Sequence, residues 1–318
     1  MFAYFHSIFN NIFGHIQTIV AFLLPAPKDK FNYSKLKTKD NDFIQIAENI
    51  NQAKTNKKII ILIHGFEGTT KSKYILRANS YFSKFNYDII SWNQRGQSKE
   101  DNLKAYTYHA GKTIDLELVI DHILQKNQYK QIYIIGFSLG ANLALKYIGD
   151  KENSLNKSIK KVVSISNPFN LKDASFHLLK KSNFIYNHKF NKSIKKKIIK
   201  KNKTYPNIYP LSLLNKIKSV VDYDQLITAP LNNYKDNIEY WKENSSIKSL
   251  NKIRVNTLII YSKNDPLLPK SALINKTTNK FISFKITNTG GHVGFIKLFN
   301  KNFLWITINN YLTDSKNN

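Results

Sequence analysis

Apolar runs and amphipathic stretches alternate along most of this chain, and their periods name the elements. Asp42 to Ile50 alternates apolar and polar positions, the mark of an early antiparallel strand. Lys57-Lys-Ile-Ile-Ile-Leu-Ile63 is instead a continuous apolar run, as expected of a central parallel strand covered on both faces. A helix is predicted over Ser72 to Phe85 and a strand over Tyr87 to Trp92. Lys112 to Gln125 places apolar residues at 114, 116, 118, 119, 120, 123 and 124, a helical face with Asp115, Glu117 and Asp121 turned outward. A strand at Gln131 to Ile135 and a helix at Ala141 to Ile148 follow, with Gly149 read as the C-cap. Another strand is expected at Lys161 to Ser166. Strand and helix in alternation predict an α/β protein with a mostly parallel central sheet and helices on both faces.

That rhythm breaks between Asn170 and about Leu250, where the pattern is helical and punctuated by Pro206, Pro210 and Pro230. This segment, 170–250, reads as a helical cap inserted into one domain spanning 1–318. The sheet pattern resumes with a strand at Val255 to Tyr261, a helix from about Lys270 and a strand at Phe281 to Ile286. A last helix is predicted at Leu298 to Tyr311, then a polar tail over 314–318. At the other end, the first charged side chain is Lys28. Residues 1–27 show neither a positive n-region nor a small-residue cleavage site, so they do not read as a secretory signal. A spanning helix needs about 20 predominantly apolar residues, and His6, Asn10, Asn11, His15 and Gln17 interrupt the run. The expectation is a helix packed on the domain, with an interfacial membrane helix as the alternative.

Chemistry enters at residues 136–140, Gly-Phe-Ser-Leu-Gly. A G-x-S-x-G run between a strand and a helix is the setting of a nucleophile elbow, which presents a serine, here Ser138, on a strained turn. Such a serine needs a base and an acid to orient that base, in chain order Ser, Asp or Glu, His. Asp265 follows the 255–261 strand and His292 follows the 281–286 strand, both in loops at the carboxyl ends of strands, where a cleft opens. His6, His15, His122, His177 and His188 lie outside those loops or within a helix, and His109 in Tyr-His-Ala-Gly reads as structural. His64 begins His-Gly-Phe-Glu-Gly, an oxyanion-loop pattern, so the backbone N–H groups of Phe66 and Leu139 are the expected oxyanion hole. No histidine pair has zincin spacing, and no dinucleotide or P-loop glycine pattern appears. No metal and no cofactor is expected.

Together these segments resemble the YheT-like branch of the α/β-hydrolase superfamily, whose members include plant embryogenesis-associated proteins and yeast medium-chain ester synthase/esterases. Gly14-His-Ile-Gln-Thr-Ile19 is similar to that branch's "PHLQT", with Gly14 in place of proline. His64-Gly-Phe-Glu-Gly68 resembles "HGLEG", Asn93-Gln-Arg-Gly96 "xxRG", and Tyr108-His-Ala-Gly111 "YHSG" with Ala110 for serine. Asn167-Pro-Phe169, Asp222-Tyr-Asp-Gln-Leu-Ile-Thr-Ala229 and Asn288-Thr-Gly-Gly-His-Val-Gly-Phe295 resemble its further signatures. The resemblance implies the α/β-hydrolase fold and the same trio, Ser138, Asp265 and His292.

The formal charge is +28, yet only Arg77, Arg95 and Arg254 among the 49 basic residues are arginine. Nucleic-acid readers lean on arginine for bidentate contacts, and a lysine-coated surface from an AT-rich coding sequence is the simpler reading. No nucleic-acid partner is expected. Ten lysines and no acid lie between Lys180 and Lys203, including Lys195-Lys196-Lys197. This segment reads first as a solvated cap face and second as a lysine surface weakly holding anionic lipid. The chain has no cysteine, which fits a reducing compartment; the expectation is cytoplasmic, peripheral at a membrane where lipid is bound. The expected activity is a serine carboxylesterase acting, by resemblance, on short- to medium-chain or lipid-like esters. An acyltransferase with an alcohol acceptor and a non-catalytic lysine-rich surface-binding protein are the alternatives.

Overall fold

A computed structural model describes residues 2–51, 57–126, 128–296 and 302–314, with side chains from residue 11 onward. The chain opens with helix α1 (Phe2–Leu23) and then β1 (Asn32–Lys37), β2 (Phe43–Asn49) and β3 (Lys58–Ile63). Helix α2 (Lys73–Phe82), β4 (Asp88–Asn93), α3 (Thr113–Gln125), β5 (Gln131–Phe137), α4 (Leu139–Lys151) and β6 (Ile159–Ile165) follow. After the cap come β7 (Asn256–Ser262), β8 (Ile282–Thr287) and the helix Phe303–Thr313. The strands form one sheet in the order β1-β2-β4-β3-β5-β6-β7-β8, and only the pairings of β2 are antiparallel.

The continuous apolar strands have a direct cause. Ile59, Ile61 and Ile63 of β3 point to the face covered by α3 and α4, while Ile60 and Leu62 point to the face covered by α2 and the helix Phe303–Thr313. With both faces dry, neither set of alternate positions can be polar. Between β6 and β7 the chain builds α5 (Leu171–Leu178), α6 (Phe184–Asn202), several short helical turns and the helix Asn237–Asn244. Ile194, Ile198, Tyr209, Ile217 and Tyr223 form a separate small core there.

Several sequence expectations need correction. Strand β1 was not foreseen: Asn-Tyr-Ser-Lys-Leu-Lys is largely exposed at the sheet edge, so no apolar run marks it, and lysines on an edge discourage pairing with other chains. The helix expected from Lys270 is a single turn, Lys270–Ala272. Beyond it Leu273 and Ile274 pack on the core, and the Ile274 carbonyl accepts from the Tyr261 hydroxyl (2.9 Å) in place of a helical N–H. Asp115 faces inward, bound by Arg95 Nε (3.0 and 3.1 Å) and Nη2 (2.8 Å), because that buried guanidinium requires a carboxylate. The start of the predicted final helix (298–301) and most of the tail (315–318) lie outside the described residues.

Gly149 is not a C-cap; α4 runs on to Lys151. A Cβ there would sit 2.4 Å from Ser249 Cβ and 2.8 Å from the Ser249 carbonyl oxygen, so glycine lets the segment 246–252 lie against the helix. This separates two effects of opposite sign. In an exposed helix Gly→Ala stabilises by about 1 kcal/mol, whereas overpacking costs about 1–3 kcal/mol. Gly149→Ala is therefore expected to lower the thermal midpoint, as differential scanning fluorimetry would register; an unchanged or raised midpoint would show that the contact is not tight.

Candidate active site

Strand β5 ends at Phe137 and α4 begins at Leu139, leaving one residue to make the turn. That residue, Ser138, takes φ 54° and ψ −119°, outside the regions an L-residue prefers. Strain of this kind persists only where its surroundings over-determine it. Ser138 N–H donates to the Ile165 carbonyl of β6 (2.8 Å). A Cβ on Gly140 would lie 2.4 Å from the Ile63 carbonyl oxygen, so only glycine allows α4 to start so close to β3.

The loops after β7 and β8 bring two further groups to this turn. The Ser138 hydroxyl donates to His292 Nε2 at 3.0 Å. His292 Nδ1 donates to Asp265 at 2.8 Å (Oδ2) and 3.0 Å (Oδ1). The Asp265 carboxylate is fully buried and His292 nearly so. In this arrangement Nδ1 faces the carboxylate and Nε2 faces the serine hydroxyl. The other histidines whose partners are described have different duties. His15 bonds and stacks on Tyr186, His122 faces Glu48, and His177 lies 3.0 Å from the Pro266 carbonyl.

Residues the sequence reading passed over hold this histidine in place. Its loop has three left-handed residues, Gly291 (φ 61°), Val293 (φ 61°) and Phe295 (φ 46°). Asn264 Oδ1 accepts from the N–H groups of Gly290 and Gly291 (both 3.0 Å). From α1, Gln17 Oε1 accepts from Gly290 N–H (2.9 Å) and Thr18 Oγ1 from His292 N–H (2.8 Å). Both α1 residues belong to the Gly14-His-Ile-Gln-Thr-Ile19 run, so the motif carried a signal whose role only the fold reveals.

Phe66 and Leu139, the predicted oxyanion donors, line the same cavity as Ser138 and His292. Leu139 opens a helix, where N–H groups lack intrahelical acceptors. The Phe66 N–H makes no hydrogen bond among the described residues. Next to it, Glu67 (φ 53°) is buried and forms an ion pair with Lys197 of α6, also buried. Ser193 Oγ (2.5 Å) and Tyr108 Oη (3.1 Å) donate to the same carboxylate. These contacts hold the Glu67 carboxyl below its ordinary range against the opposing pull of burial, the largest effect. Lys201, fully buried, pairs with Asp101 (3.1 Å) and donates to the Lys104 carbonyl (2.8 Å). Neither a solvated face nor a lipid-facing surface describes Lys197 or Lys201: they fasten the cap to the domain beneath, while Lys192 and Lys196 remain exposed.

The cavity spans about 790 Å³ when the solvent at its open mouth is included, with Leu171, Leu178, Phe190, Val220, Trp241 and Leu268 in its wall. Asp224 also lines it; burial pushes its carboxyl up to about 6 although Trp241 Nε1 donates to it (2.8 Å). Residues 58–297 match the family described as alpha/beta hydrolase fold. The chain belongs to that family. The chain is 28% identical over 288 residues to YheT of Escherichia coli (strain K12), covering 89% of this chain and 84% of that one. A Saccharomyces cerevisiae protein named monoacylglycerol lipase is 26% identical over 251 residues, 76% of this chain and 55% of that one. Among solved structures, the Pyrococcus furiosus esterase Pf2001 superposes with a TM-score of 0.58 at 17% identity, covering 90% of this chain and 93% of that one. The last likeness concerns the fold alone.

Two buried imidazoles near the site set a stability profile. Burial lowers His64 to about 4, and its Nε2 accepts from Gln94 N–H (3.2 Å), a bond that requires the neutral ring. Burial lowers His109 to about 3, and its Nδ1 accepts from Gly111 N–H (3.2 Å). Both folded values lie below the ordinary 6.5, so under mildly acidic conditions the unfolded chain binds more protons. Stability is then lost as pH falls from about 6.5 toward 4, by about 1.4 kcal/mol per ring at one unit below 6.5. Asp224, raised from 3.8 to about 6, opposes this between those values, one group against two. The thermal midpoint is expected to fall between pH 7 and pH 5, and His109→Gln to flatten the fall; a level or rising parent profile would contradict the assignment.

Proposed function

We propose that this α/β-hydrolase is a serine carboxylesterase. The observation that carries the reading is the unbroken chain from Ser138 Oγ to His292 Nε2 (3.0 Å) and from His292 Nδ1 to buried Asp265 (2.8 Å), opening on an apolar cavity. Ser138 attacks the ester carbonyl as His292 takes its proton, and the backbone N–H groups of Phe66 and Leu139 receive the oxyanion. His292 protonates the leaving alcohol, and water activated by the same ring then releases the acid from the acyl-enzyme. The Asp265 carboxylate stays ionised and stabilises the imidazolium. The reading takes residues 1–318 as one hydrolase domain with 170–250 as its cap. A cavity walled by aliphatic and aromatic side chains suits short- to medium-chain or lipid-like acyl groups. Absence of cysteine suits a reducing setting, and the cytoplasm is proposed.

A series of p-nitrophenyl acetate, butyrate, octanoate and palmitate tests this reading. Turnover is expected to peak at butyrate or octanoate and to vanish in Ser138→Ala. His292→Ala should lose nearly as much, because the two residues act as a unit. Asp265→Asn should lower kcat by about 10⁴ through the wrong imidazole tautomer. Added ethanol or glycerol is expected to leave free acid as the main product; a new ester formed at its expense would move the assignment to acyl transfer. Undiminished hydrolysis by folded Ser138→Ala would overturn the reading altogether.

A further inference from the structure

From residue 11 onward, helix α1 is built inside out. The residues it turns toward the domain are Gly14, Gln17, Thr18 and Ala21, small or polar, and they lie against the loops that carry Asp265 and His292. Its outward face carries Ile12, Phe13, Ile16, Val20 and Leu23, with Ile16 49% and Leu23 66% exposed. Spacings of three and four keep these side chains on one side of the helix. The start of α6 extends the patch with Phe184 (67%) and Ile185 (61%). The two helices are joined by the His15–Tyr186 stack (5.6 Å) and by Lys189 Nζ, 3.3 Å from the centre of the Phe22 ring. Exposed apolar side chains gathered on two helices in contact mark a place of interaction.

The charge around the patch is predominantly positive, Asp29 between Lys28 and Lys30 being an exception. Lys73 donates to the carbonyls of Leu23 and Leu24 (both 3.0 Å), and Arg77 to that of Ala21 (2.9 Å). Exposed Lys28, Lys30, Lys180 and Lys181 lie just beyond the apolar residues in sequence. No acidic residue occurs in 1–28 or in 174–221, the segments that build this face. Burial, and then the neighbouring Lys73 charge, hold the Lys189 amine below its ordinary value. Among the described residues no helix is long and apolar enough to cross a membrane.

We infer that this face docks on the surface of an anionic phospholipid bilayer, the apolar side chains seating at the acyl boundary and the lysines meeting lipid phosphates. The docking element is the one that holds the histidine loop, and Phe190 of α6 lines the catalytic cavity. On the esterase reading proposed above, docking would bring this cavity close to esters held in the bilayer. In the charged half of α6, Lys197 and Lys201 play no part, since both are buried in ion pairs.

Flotation of the full chain with vesicles decides the matter. The protein is expected to float with phosphatidylcholine vesicles containing phosphatidylglycerol, to do so less as salt rises, and to stay behind with phosphatidylcholine alone. The double variant Ile16→Asp/Val20→Asp should lose about tenfold or more of this binding, with its circular dichroism and its p-nitrophenyl butyrate hydrolysis unchanged. Because flotation does not depend on turnover, failure of the esterase reading would leave this result legible. Equal binding by parent and variant, equal binding to both vesicles, or none to either would overturn the inference. So would a parent dimer in solution that the variant dissociates, since a second copy would then cover the face.

Discussion

The hydrogen bonds from α1 to the histidine loop are the constraint on which the rest of this molecule turns. Val293 and Phe295 have positive φ, conformations that cost side-chain-bearing residues free energy and persist only when neighbours over-determine them. Here Thr18, Gln17 and Asn264 accept from the main-chain N–H groups of Gly290, Gly291 and His292. Those N–H groups are buried or nearly so and need acceptors, so α1 must turn polar atoms inward. An amphipathic helix with its polar side inside has its apolar side outside. The exposed Ile16 and Leu23 are thus the counterpart of a well-supplied histidine loop, so one helix joins the Ser138–His292–Asp265 geometry to the face proposed to dock on lipid.

A second coupling runs through the cap. Glu67 sits beside the Phe66 N–H, and its carboxylate is answered by Lys197 and Ser193 of α6 and by Tyr108 from the body of the domain. Removing one partner of a buried pair costs about 3–5 kcal/mol because it leaves a charge unanswered, so the 64–68 loop and the cap hold their positions jointly. Some of the lysine excess therefore has internal work. The net charge of +28 mixes lysines that fasten elements together with lysines that rim the apolar patch, and composition alone cannot tell them apart.

What could be read from the chain follows from range. Strands β3 and β5 declare themselves because burial on both faces forces unbroken apolar runs, and the elbow because Gly136 is demanded by contacts with Gly140 and Ala141 only a few residues on. Asp265 and His292 were legible because chain order and strand ends restrict where such groups fall. The family resemblance pointed to the same three residues. Features set by distant partners were hidden. Gly149 looks like a helix terminus until Ser249 is seen against it, and Asp115 looks solvent-facing until Arg95 is placed beside it. Thr18 and His292 are 274 residues apart in sequence, so no local pattern announces their bond. Edge strand β1 escaped because a strand with little to bury has little pattern to show.

The central claim is that Ser138 is an activated nucleophile, and covalent labelling measures this without knowledge of the natural substrate. Folded protein would be treated with a fluorophosphonate and its intact mass and tryptic peptides determined. The geometry predicts one adduct per chain, on the peptide carrying Ser138, and its loss in His292→Ala, where no base remains to take the serine proton. A folded chain that acquires no adduct, or acquires it on another residue, would contradict the account.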